Sequence, residues 1–143
     1  MPTPPQRQLL ELTIAPSDQE VPAASPVIVG LSLKNQSEEA IAIWETHVDW
    51  DFEFTVRNSD GRIVPLTVYG RRMEPSRGLE TIRRKKVLLK PGAQQTYQVP
   101  VNRKHDMTLT GGYTIRAIFR SQDPDFAIPA VTSNAVRVLV TGE

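Results

Sequence analysis

The sequence predicts an all-β, antiparallel β-sandwich of seven to eight strands. Three observations lead there. Apolar residues recur with period 2 in several separate runs, the signature of half-buried strands. Most of the twelve prolines and eight glycines fall between those runs. No window carries a long helical pattern, and many short strands separated by turn residues are the mark of a sandwich or barrel.

Taken in order, residues 1–8 are Pro-rich and read as a flexible N-terminus, and residues 9–141 read as one domain. Leu10, Leu12 and Ile14 alternate with polar residues, as do Val27, Val29, Leu31 and Leu33 in a run ending at Asn35. From His47 to Arg57, Val48, Trp50, Phe52, Phe54 and Val56 share one strand face, and His47, Asp49, Asp51, Glu53, Thr55 and Arg57 share the other. Asn58-Ser59-Asp60-Gly61 then supplies a tight hairpin turn. Arg62–Thr67 is the expected return strand, with Ile63 facing inward and Pro65 marking an edge or a bulge. Residues 70–86 lack periodicity and read as a long, exposed basic loop. Val87-Leu88-Leu89, the turn Lys90-Pro91-Gly92, and a strand with Gln95, Tyr97 and Val99 follow. Gly112–Arg120 places Tyr113, Ile115, Ala117 and Phe119 on one face, and Ala135–Thr141 alternates through Val136, Val138 and Val140.

A chain of 143 residues buries roughly 68–70% of its unfolded surface, enough for one core without staples. The absence of cysteine excludes disulfides, thiolate metal sites and cysteine nucleophiles. No apolar run approaches the roughly 18 residues of a membrane span, and Met1–Gln6 shows no signal-peptide pattern. Net charge is only +1, but it is unevenly spread. Glu38–Asp60 holds seven acids against Arg57, whereas Arg62–Lys104 holds eleven bases against Glu74 and Glu80. Such a dipole steers an anionic partner unless its two halves face each other.

Leu109-Thr110-Gly111-Gly112-Tyr113-Thr114-Ile115 resembles the tyrosine corner of immunoglobulin-like domains, in which a tyrosine opens the penultimate strand and its hydroxyl caps the preceding corner. Ile115 occupies the place where antibody domains carry a cysteine. Together with Leu31-Ser-Leu-Lys-Asn35, Leu89-Lys-Pro-Gly92, Val101–Met107 and Ser133-Asn134, the order is similar to the immunoglobulin-like domains beside deuterolysin-type metallopeptidases. It is more loosely similar to the bacterial intracellular proteinase inhibitor family. The resemblance spans about residues 9–141 and implies an immunoglobulin-like fold, an accessory or interaction role and an exported location. It implies no catalytic residues, and Tyr113, Leu109, Gly111 and Trp50 are structural positions within it.

Four groups are candidates for chemistry. His47, Asp49 and Asp51 share one face of the predicted strand, where carboxylates and an imidazole suit a metal ion, although same-face residues on a flat strand diverge. His105-Asp106 is a pair of the kind that orients an imidazole for base catalysis, but without a nucleophile motif Asp106 is better read as a turn acceptor. Arg71, Arg72, Arg77, Arg83, Arg84, Lys85 and Lys86 suit an anionic ligand or an acidic partner. Only Tyr69 lies near them, so stacking on nucleic acid is poorly supported. Trp50 falls on an apolar face, whereas Trp44 is open to either a core or a surface role.

The expectation is a non-enzymatic domain that engages a protein partner through loops or a strand edge and needs no cofactor. A proteinase inhibitor using the basic loop and an anion- or polysaccharide-binding module are the alternatives.

Overall fold

The computed structural model describes residues 9–45, 48–76, 85–120 and 130–142. The Pro-rich start at 1–8 lies outside them. The described residues contain ten strand segments, two helical segments and one 3-10 turn.

One sheet has three strands. β1 (Leu10–Pro16) pairs with β3 (Ile28–Asn35), and β3 pairs with β7 (Gln94–Pro100), all antiparallel. The second sheet runs β2 (Glu20–Pro22), β10 (Val136–Thr141), β8 (Gly111–Phe119) and β5 (Phe52–Arg57), with β9 (Val131–Thr132) also on β8. β2 lies parallel to β10, and the other pairs of this sheet are antiparallel. β4 (Ile41–Glu45) and β6 (Lys85–Leu89) form a separate two-stranded ribbon.

Alternation decides what goes inside. Leu10, Leu12 and Ile14 of β1, with Val29, Leu31 and Leu33 of β3, meet Phe52, Phe54 and Val56 of β5 and Tyr113, Ile115, Ala117 and Phe119 of β8 in one buried cluster. Each fully buried large side chain contributes about 1.5–3 kcal/mol. Phe52 centres the aromatic part, edge-on to Tyr97 at 5.0 Å and tilted against Phe119 at 5.3 Å.

Polar side chains stitch the layers where ladders end. The Asn134 carboxamide accepts from the Ile14 N–H at 2.8 Å and donates to the Ile14 carbonyl at 3.0 Å, closing part of the β1 edge. Such pairing answers the unmet backbone groups that an edge strand otherwise presents.

Three expectations change. First, the predicted strand at 47–57 begins only at Phe52, because Val48–Asp51 forms a helical turn, α1. That turn ends strand alternation before Phe52, and Asp51 is 3% exposed rather than solvated. Second, Ile63 is 62% exposed and Val64 is the buried residue, because Arg62–Thr67 makes isolated bridges instead of a strand. Third, the stretch 70–86 is not one loop. Val68–Ser76 is a helix, α2, and Lys85–Lys86 belong to β6.

Two local features explain α2. Thr67 caps it, its hydroxyl oxygen accepting from the Gly70 N–H at 3.0 Å while donating to the Arg103 carbonyl. Gly70 lets the helix approach the turn at Val101–Arg103 closely, since a Cβ there would overlap the Lys104 carbonyl.

Candidate functional site

The tyrosine corner is present. Tyr113 opens β8 and donates its buried hydroxyl to the Leu109 carbonyl at 2.6 Å. The Leu109 side chain is 76% exposed, so its part in the corner is its backbone. Gly111 has φ of 136°, a conformation that favours glycine. Burial, aided by the nearby Asp106 carboxylate, holds the Tyr113 hydroxyl above its ordinary pKa. A depression of about 290 Å³ lies beside the corner, lined by residues that include Asn58, Asp60, Asp106 and Tyr113. Asp106 is committed to its own turn. It accepts from the Thr108 N–H at 3.0 Å and the Thr108 hydroxyl at 2.6 Å, and those bonds hold its carboxyl below the ordinary range. His105 is a buried residue whose backbone bridges Leu66.

Of the metal candidate, only the Asp51 side chain is described. His47 and the Asp49 side chain lie outside the described residues, and Asp51 is buried at the end of α1 rather than on an open strand face. Among the described residues no cluster of three or more His, Asp or Glu could hold a metal ion. The Trp50 side chain also lies outside the described residues.

The basic candidates divide between elements. Arg71 and Arg72 are exposed on α2, whose Tyr69 ring lies 5.1 Å from the Arg103 guanidinium. Arg77, Arg83 and Arg84 lie outside the described residues. Lys85 and Lys86 are exposed on β6.

Sequence reasoning missed the β4 half of the ribbon that carries those two lysines. Its one local signal was the unbroken apolar run Ile41-Ala42-Ile43-Trp44, with a β-branched residue at every second position. Asn35, fully buried at the end of β3, anchors the ribbon by donating to the Leu89 carbonyl at 2.9 Å and the Glu39 carbonyl at 2.7 Å. On the inner side, the Glu45 carboxylate accepts from the Tyr97 hydroxyl at 2.7 Å and the Gln95 amide at 2.9 Å. Burial and the Glu45 carboxylate, with Asp51 nearby, push the Tyr97 hydroxyl far above its ordinary pKa.

The two ribbon strands differ in exposure. In β4, Ile41 and Ile43 are buried and Ala42, Trp44 and Glu45 half-buried. In β6 only Leu89 is buried, while Lys85, Lys86 and Leu88 are exposed. β6 is therefore the outer strand. Leu88, 61% exposed, pairs with Ala42, and Lys86 pairs with Trp44. Among the described residues, no further strand pairs with β6.

No protein-family model and no curated protein matches the chain. Solved structures do. The C-terminal domain of Wzt is similar over 94% of this chain and 75% of its own, with TM-score 0.53 and 10% identity. Shared architecture at so low an identity speaks to the fold alone. The chain is an immunoglobulin-like β-sandwich. The CARDB domain of PF1109 from Pyrococcus furiosus, solved with di-metal ions, is similar over 96% of this chain and 99% of its own, at TM-score 0.47 and 12% identity. A β-glucosidase from Erythrobacter marinus is similar over 92% of this chain, at TM-score 0.49 and 16% identity, but this chain spans only 15% of that enzyme. Among the described residues, no helix of this immunoglobulin-like domain is long and apolar enough to cross a membrane.

Proposed function

We propose that this immunoglobulin-like domain is a non-enzymatic interaction module, an accessory part of a larger system that engages a protein partner. The observation that carries the reading is the ribbon β4–β6. It belongs to neither main sheet, is pinned by buried Asn35, and turns Leu88, Lys86 and half-buried Trp44 outward. An apolar and aromatic patch rimmed by charge on a rigid scaffold is the usual anatomy of a binding surface. Asp106, Tyr113 and Glu45 are each occupied in structural work, with Thr108, with Leu109, and with Tyr97 and Gln95. The resemblance to accessory domains beside deuterolysin-type metallopeptidases supports the same role.

The test is photo-crosslinking in native extract. A photoreactive residue at position 88 is expected to give a discrete protein adduct, and one at position 139, exposed on β10, is expected to give none. Equal labelling at both positions, or none at either, overturns the reading.

A further inference from the structure

We infer that the outer edge of β6 takes up an extended segment of the partner as an added strand, and that this segment carries adjacent carboxylates beside an apolar pair. The inference rests on the interaction reading above and specifies the chemistry of the partner. β6 is a solvent-facing strand at the end of a two-stranded ribbon. No backbone–backbone hydrogen bond among the described residues links Lys85–Leu88 to anything but β4. An edge of this kind offers a row of N–H and C=O groups to an incoming strand.

Side chains on β6 set what can join it. Residues directly opposite across two strands lie about 4.5–5.5 Å apart at Cβ, so an added strand places one residue against each of Lys85, Lys86, Val87 and Leu88. Lys86 and Leu88 point to the outer face with Trp44 and Ala42 behind them. Lys85 and Val87 occupy the inner row, where the Glu45 carboxylate is already bound to Tyr97 and Gln95. Both lysines are exposed. Carboxylates opposite them form cross-strand ion pairs, and branched apolar residues opposite Val87 and Leu88 extend the apolar rows. A second copy of β6 is a poor occupant, because antiparallel self-pairing sets Lys85 and Lys86 against Leu88 and Val87 of the other copy, with a second lysine on the diagonal and no opposite charge. Lysine on an edge strand commonly serves that exclusion. The same charge that rejects another copy admits an acidic strand.

The experiment uses the full chain and short threonine-flanked synthetic peptides carrying Val-Val-Glu-Glu or the reverse order. Binding is read by fluorescence anisotropy, and backbone amide shifts locate it. At least one order is expected to bind and to shift the amides of residues 85–88 rather than those of 94–100 on β7. The double variant K85E/K86E is expected to weaken binding about tenfold, as two cross-strand charge pairs are reversed. N-methylation of alternate peptide amides, which leaves side chains intact, is expected to abolish it. Equal binding of the Val-Val-Lys-Lys peptide, binding that survives N-methylation, or a dimer of this chain formed through β6 each overturns the inference. A discrete adduct at position 88 together with no peptide binding sinks the acidic-strand inference and leaves the interaction reading standing. Loss of the adduct sinks the interaction reading itself.

Discussion

Tyr113 reaches across its own corner to Leu109, donating its hydroxyl to that carbonyl at 2.6 Å. A side chain from a central strand thereby fixes the connection that feeds the strand. Leu109 contributes only its backbone, its side chain being largely in solvent. Two exposed loops meet at this corner, so the bond couples core packing to the shape of one end of the sandwich.

Replacing Tyr113 by Phe keeps the ring in the core and removes the bond. The Leu109 carbonyl must then find water. The expected cost is about 1–2 kcal/mol, the net worth of one hydrogen bond plus partial desolvation of its orphaned partner. Urea unfolding measures it. A Leu109→Ala variant is expected to fall within about 0.5 kcal/mol of the wild type, because an exposed side chain contributes little. A large loss in Leu109→Ala with none in Tyr113→Phe would assign the corner to the leucine side chain instead.

The corner was legible in the sequence because its parts are local, with Tyr113 four residues beyond Leu109 and glycine where φ is positive. Most of the core was legible for the same reason, since period 2 in β1, β3 and β8 separates inside from outside residue by residue. Helix α1 was not. Val48–Asp51 spans a single turn, and four residues cannot distinguish a helical from a strand period. Nor was α2, where Gly70 and Pro75 argue against a helix and the deciding contacts, Thr67 with Arg103 and Gly70 against Lys104, join residues far apart in sequence. The ribbon was half legible. Val87–Leu89 read as ordered, but its pairing with β4 across forty residues of chain has no local signal. The charge of Lys85 and Lys86 marks them as binding candidates in the sequence, and only the fold places them on an outer strand.

Gly70 offers a test in which two effects have opposite signs. Helix propensity alone favours Gly70→Ala by about 1 kcal/mol. Docking opposes it, because the new methyl group would collide with the Lys104 backbone carbonyl, which cannot swing aside as a side-chain end can. Moving that carbonyl would also disturb its bond from the Thr67 N–H at 2.8 Å. Gly70→Ala is therefore expected to destabilise the protein by about 1–3 kcal/mol, the range for overpacking. Faster hydrogen exchange is expected at the amides of Thr67, Gly70 and Arg71. A stabilised variant would mean that α2 stands clear of the Val101–Arg103 turn.

Tyr97 predicts how stability responds to alkali. Its hydroxyl donates to Glu45 at 2.7 Å from a partly buried position, and ionisation would set a phenolate against that carboxylate. Burial and the carboxylate raise its folded-state pKa above the unfolded value of about 10. A raised acid contributes stability that is fully present below the unfolded pKa and is lost as pH climbs towards the folded one. The same bond holds the ribbon against the sheet through Glu45, so its loss reaches the ribbon as well as the core. Wild-type unfolding free energy is expected to hold level between about pH 7 and 9 and to fall above about pH 10. In Tyr97→Phe the neutral-pH stability is expected to drop by about 1.5–3 kcal/mol, the worth of a hydrogen bond to a charged group. The fall above pH 10 is expected to be shallower, because one of the two tyrosines held above its ordinary pKa has been removed while Tyr113 remains. Urea titrations of both proteins across that range measure it. Parallel alkaline losses in the two would show that Tyr97 ionises no differently in the folded chain than in the unfolded one.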